Sequence, residues 1–99
     1  MAGEVSVSEN LPNGERKVLL ALRFLAGEES RVTVSGRDLA TALGWTRTKS
    51  VRQCAVNLER RGLVSVTNNS TPGTHRPNTF TVLPLGREVA ENIEAMEAA

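Results

Sequence analysis

SGRDLATALGWTRTKSVRQCAVNLERRGLV, residues 35–64, reads as two short helices around a tight turn. Ser35 can accept a hydrogen bond from the backbone N–H near Asp38, and Asp38 puts a carboxylate in the first turn, beside the positive end of the helix dipole. Leu39, Ala40 and Leu43 then recur at spacings of three and four, and Gly44 supplies a left-handed stop after about two turns. Thr46 or Thr48 can cap a second helix, with Val51, Cys54, Ala55 and Leu58 as its apolar stripe and Gly62 as its stop. Two helices joined through a glycine turn form a helix-turn-helix candidate.

The opposite face of the second helix carries Thr48, Lys49, Arg52, Gln53 and Val56, all but the last being hydrogen-bond donors or cations. Between residues 46 and 76 there are six Lys or Arg (Arg47, Lys49, Arg52, Arg60, Arg61, Arg76) against one acid, Glu59, a local net charge of +5. The rest of the chain holds six basic and ten acidic residues, a net −4, so the overall +1 hides a polarised molecule. Such asymmetry is the footprint of a polyanion binder.

At this point the chain resembles a family. Leu58-Glu59-Arg60-Arg61-Gly62-Leu63-Val64 resembles the end of the recognition helix in winged helix-turn-helix regulators, and Leu83-Pro84-Leu85-Gly86-Arg87-Glu88-Val89 resembles the start of the last helix in MarR-like members. The resemblance covers roughly residues 15–97. It implies an α+β fold, mostly α: a three-helix core, a short first strand, a β-hairpin wing, and a C-terminal dimerisation helix. Gly44 lies seven residues before Val51, one more than in many such proteins, which suggests a turn one residue longer.

Ninety-nine residues suit one domain with one modest core. With only Phe24, Trp45 and Phe80 as aromatics, that core is built of Leu, Val and Ala. The sequence has no apolar run near 18 residues and no signal-peptide pattern, so a cytoplasmic protein without a membrane partner is expected. The lone Cys54 has no internal partner and is read as a small buried hydrophobe; one Cys and one His make no zinc set, and no metal or other cofactor is expected. Paired carboxylates, a nucleophile triad and a glycine-rich phosphate loop are all lacking, which argues against an enzyme.

Residues 1–12 read as a flexible tail, with Val5 and Val7 leaving room for a short edge strand or dimer arm; residues 13–83 form the DNA-binding unit and 84–99 a C-terminal amphipathic helix. Residues 16–26 carry Val18, Leu19, Leu22 and Leu25 at helical spacing up to Gly27, with Arg16, Lys17 and Arg23 on a solvated face. Arg31-Val32-Thr33-Val34 is a β-branched strand, and residues 63–67 and 79–82 are its expected partners. The intervening residues 68–78 are too long for a tight turn and read as a mobile wing carrying His75 and Arg76. Leu85, Val89, Ile93 and Met96 form the stripe of the last helix and are the expected dimer interface.

These features predict a sequence-selective, homodimeric regulator of transcription on double-stranded DNA. Lys49, Arg52 and Gln53 are the base-contacting candidates, because Arg and Lys match guanine O6 and N7 and Gln matches adenine N6 and N7. Thr46, Arg47, Thr48 and Ser50 would hold phosphates; Arg60 and Arg61 either contact the backbone or neutralise the helix dipole; Arg76, with His75, reaches the flank. Trp45 is read as a core plug between the two helices. No small-molecule ligand is evident. The alternatives are a protein-interaction winged helix, or an architectural, replication or segregation protein that binds DNA with little sequence preference.

Overall fold

The computed structural model describes residues 11–98. Helix α1 (Asn13–Ala26) passes through a single 3-10 turn into strand β1 (Arg31–Val34), followed by helices α2 (Gly36–Leu43) and α3 (Thr48–Arg60), strands β2 (Val64–Thr67) and β3 (Asn78–Val82), and helix α4 (Pro84–Ala98). The chain is thus mostly helical, with a three-stranded antiparallel sheet in the order β1-β3-β2.

The helix-turn-helix forms where its local chemistry directs. The Ser35 side chain accepts a 3.0 Å hydrogen bond from the Asp38 N–H, so the cap is made as the sequence predicts. Gly44 sits at φ 74°, its N–H donating to the Thr41 carbonyl while the Trp45 N–H reaches back to Ala40, the double bond of a Schellman ending. Helix α3 ends in the same way: Gly62 has φ 77°, its N–H donating to Glu59 and that of Leu63 to Leu58. The start of α3 differs from expectation. Its N-cap is Arg47, no side chain caps it, and Thr48 is instead half-buried with its methyl facing Gly36.

Val18, Leu19 and Leu22 of α1, Leu39 of α2, and Val51, Ala55 and Leu58 of α3 meet in one core, closed by Phe80 and Val82 from β3. Phe80 is opposite Val32 on one side and Val66 on the other, so the central strand ties the sheet to the helices. Leu25 does not belong to this core. It is 42% exposed, and its neighbour Ala26, the last residue of α1, is buried instead. Leu11 is buried too, so packing starts ahead of α1; the possible strand or arm at Val5 and Val7 lies outside the described residues.

The last helix also departs from the sequence reading. It begins at Pro84 itself, a favoured first position because its missing N–H would have no helical partner. Val89 and Ile93, assigned to a dimer face, are consumed by the monomer's own core; only Leu85 and Met96 of that set are exposed. The helix lies along α1, where Arg23 donates to Glu94 at 2.7 Å and to Glu91 at 3.2 Å rather than facing solvent alone.

Candidate nucleic-acid interface

Helix α3 buries Val51, Ala55 and Leu58 and thereby turns the opposite side outward. Lys49, Arg52 and Gln53 are exposed there, with Val56 and Arg60. Thr46, Arg47 and Ser50 are exposed around the helix start, whereas Thr48 is half-buried. Residues 44–47 make the turn between α2 and α3, which falls within the usual helix-turn-helix range.

The hairpin beyond α3 is more ordered than its composition suggests. Thr71 and Thr74 exchange backbone hydrogen bonds of 3.0 and 2.9 Å around Pro72-Gly73, and Gly73 has φ 82°, as the third position of a type II turn requires. Below the tip, the Ser70 hydroxyl accepts from the Arg76 N–H at 3.0 Å and donates to the Arg76 carbonyl. The Asn69 amide spans the hairpin to the Pro77 carbonyl and the Thr79 hydroxyl, both at 2.9 Å. The segment read as a long mobile loop is therefore a braced hairpin with a tight turn. His75 and Arg76 are exposed on it.

Between α3 and this hairpin runs an open cleft of about 870 Å³. Arg52 enters it from α3, His75 and Arg76 from the hairpin, and Arg37 from the first turn of α2. Arg37 is the second residue of α2, two after the Ser35 cap, and no local pattern in the sequence signals that it lines this cleft. Among the described residues no ion pair involves Arg37, Lys49, Arg52 or Arg76. The acid in the cleft, Glu59, accepts a hydrogen bond from the Val66 N–H at 3.1 Å and so seals the outer edge of β2. Cations from three elements thus line the cleft without acidic partners among the described residues.

Arg61 is not part of this surface in the way expected. Its Nε donates at 2.8 Å to Glu15, which is only 4% exposed, and Asn57 donates to the other carboxylate oxygen at 3.1 Å. The guanidinium thus fastens the end of α3 to the start of α1. Trp45 is half-buried against the core and lies beside Gly14 of α1 as well as between α2 and α3.

Cys54 is half-buried beside these groups. Burial pushes its thiol above the ordinary range, and the nearby Glu15 carboxylate adds to the shift by opposing a second negative charge. Since the thiolate is the nucleophile, a raised pKa means less of it at neutral pH. Alkylation of Cys54 by iodoacetamide at pH 7.5 is expected to be slower than that of a free model thiol, with the rate climbing through an inflection at higher pH. Equal rates and equal inflections would show an unburdened thiol.

No family model matches the sequence, and no curated protein sequence does either. Solved structures do match. A transcription regulator of the MarR family superposes with a TM-score of 0.73 at 20% identity, over 94% of this chain and 56% of that one. MepR of S. aureus, in a single-residue variant bound to an oligodeoxyribonucleotide, gives 0.71 at 18% identity, over 94% and 62%. CouR from Rhodococcus jostii, bound to p-coumaroyl-CoA, gives 0.64 at 26% identity, over 91% and 57%. The fold is therefore that of MarR-like winged-helix regulators, as the resemblance at residues 58–64 and 83–89 implied. The chain spans about three fifths of the length of these structures. The expectation of no small-molecule ligand finds no support, because CouR is seen with one. No helix of the described residues is long and apolar enough to cross a membrane.

Proposed function

We propose that this winged-helix fold serves a sequence-selective double-stranded DNA-binding protein, acting as a homodimeric regulator of transcription. The observation that carries the reading is the convergence of Arg37, Arg52 and Arg76, from three elements, on one cleft where none has an acidic partner among the described residues. Bringing cations together without counter-charges costs the isolated protein self-repulsion, and a polyanion relieves it. The fold of the oligonucleotide-bound MepR structure adds the class of polyanion.

In this reading α3 lies in the major groove. Lys49, Arg52 and Gln53 face base edges, and Val56 offers an apolar contact to a thymine methyl. Thr46, Arg47 and Ser50 hold phosphate at the start of α3, with Thr48 contributing its backbone N–H, and Arg60 holds phosphate near the end. His75 and Arg76, on the braced hairpin, reach the flank in the same reading. Two copies would read half-sites roughly one helical turn, about 10 base pairs, apart. Exposed Leu85 and Met96 on α4, together with Leu25 and the 84% exposed Phe24 on α1, are apolar side chains available to a second copy.

Arg52→Ala should weaken binding to the preferred duplex by about 1 to 3 kcal/mol at fixed salt with the fold intact, while Arg76→Ala should lower the slope of log affinity against log salt by about one unit for any sequence. A parent chain with no steep salt dependence on random duplex would point to an adaptor whose basic face meets an acidic protein. Unchanged affinity in Arg52→Ala would remove α3 from the groove.

A further inference from the structure

One hydrogen-bond chain links the exposed face of α3 to the interior. Gln53 Nε2 donates to Asn57 Oδ1 at 3.2 Å, Asn57 Nδ2 donates to Glu15 Oε2 at 3.1 Å, and Arg61 Nε donates to Glu15 Oε1 at 2.8 Å. The direction of this chain is fixed by chemistry. A carboxylate held by a guanidinium only accepts, so Asn57 must turn its amide nitrogen toward Glu15. Its carbonyl oxygen then faces Gln53, and Gln53 must answer with its own nitrogen. Gln53 then keeps its carbonyl oxygen Oε1 free as an acceptor, beside the second hydrogen of its amide nitrogen.

We infer that Glu15 is a positioning residue for base recognition: through Asn57 it orients the Gln53 amide so that Oε1 faces the duplex and selects a base with an exocyclic amino group, adenine or cytosine. Adenine N6 and cytosine N4 are the major-groove donors such an acceptor matches, while guanine and thymine offer acceptors at the corresponding edge. Glu15 itself never touches DNA. The inference rests on the DNA-binding reading above, and it makes a buried acid on α1 a determinant of sequence preference.

The test is selection of bound duplexes from a random pool, with relative affinities measured for every base at each position. Gln53→Ala identifies the base pair that Gln53 reads. Glu15→Gln reverses the chain: its amide nitrogen faces Asn57, Asn57 flips, Gln53 flips, and a donor points outward. The preference at that one base pair should move from adenine or cytosine to guanine or thymine by about fivefold or more, with the positions read by Lys49 and Arg52 unchanged. Asn57→Ala, which leaves the Glu15–Arg61 pair in place, should relax discrimination at the same base pair to under about twofold; it decides the matter if Glu15→Gln fails to fold. The inference is overturned if folded Glu15→Gln and Asn57→Ala both select the parent's base with the parent's strength, or if Gln53→Ala changes no position. A parent chain that selects no sequence at all would overturn the DNA reading, and this inference along with it.

Discussion

Gly86→Ala is expected to destroy the native fold, or to reduce its stability by at least about 3 kcal/mol. A Cβ on Gly86 would overlap the backbone carbonyl oxygen of Leu63, with the Leu63 carbonyl carbon 2.8 Å away and its Cα 3.1 Å away. These are backbone atoms that are already committed. The Leu63 N–H closes the Schellman ending of α3 on Leu58, its carbonyl accepts from the Leu83 N–H at 3.0 Å, and its side chain is fully buried. Relief therefore requires α4 to lift from the end of α3, which breaks several contacts at once. Alanine in place of glycine inside a helix ordinarily gains about 1 kcal/mol, so the overlap must outweigh a favourable term. Gly36→Ala supplies the comparison: its Cβ would meet only the Thr48 methyl, at 2.8 Å, and that side chain can move, so a loss of about 1 kcal/mol or less is expected. Urea unfolding of the two variants beside the parent measures both. A Gly86→Ala chain as stable as the parent would mean that the two backbones do not meet.

The contrast between Gly86 and Gly44 shows which parts of the structure were legible in the sequence. Gly44, Gly62 and Ser35 act on neighbours within five residues, so a local rule finds them, and all three act as predicted. Gly86 acts on Leu63, and no local pattern reveals that a glycine is needed because another backbone passes close by. The same limit applies to faces of helices. Periodicity places Leu85, Val89, Ile93 and Met96 on one stripe, but only the packing of α4 on the body of the monomer decides that Val89 and Ile93 are covered while Leu85 and Met96 are not. Periodicity likewise puts Leu25 on the stripe of α1, although the packing leaves it 42% exposed and buries Ala26. In the hairpin, Pro72-Gly73 is a turn signal inside a segment whose length suggests an open loop; the turn lies at the tip, and Asn69 and Ser70 extend the brace below it.

Arg61 illustrates the same limit for charge, and it carries the second large effect. Counting cations along α3 makes Arg61 one more positive charge at the helix end, and the count cannot see Glu15, whose carboxylate is buried 46 residues away in sequence and bonded to the Arg61 Nε. Arg61→Met keeps the stem of the side chain and removes the guanidinium, leaving Glu15 with Asn57 as its remaining donor. Breaking a fully buried pair costs roughly 3 to 5 kcal/mol; the Arg61 side chain is 39% exposed, so solvent screens part of this and about 2 kcal/mol is expected. Much of that loss comes from stranding the acid, so the double variant Glu15→Leu with Arg61→Met should recover most of it. DNA binding separates this structural role from a phosphate contact. At temperatures where both chains are fully folded, Arg61→Met should keep the parent's salt slope, while Arg60→Ala should lower it by about one unit. If Arg61→Met unfolds like the parent and lowers the salt slope instead, the buried pair is incidental and Arg61 belongs with the phosphate-binding residues.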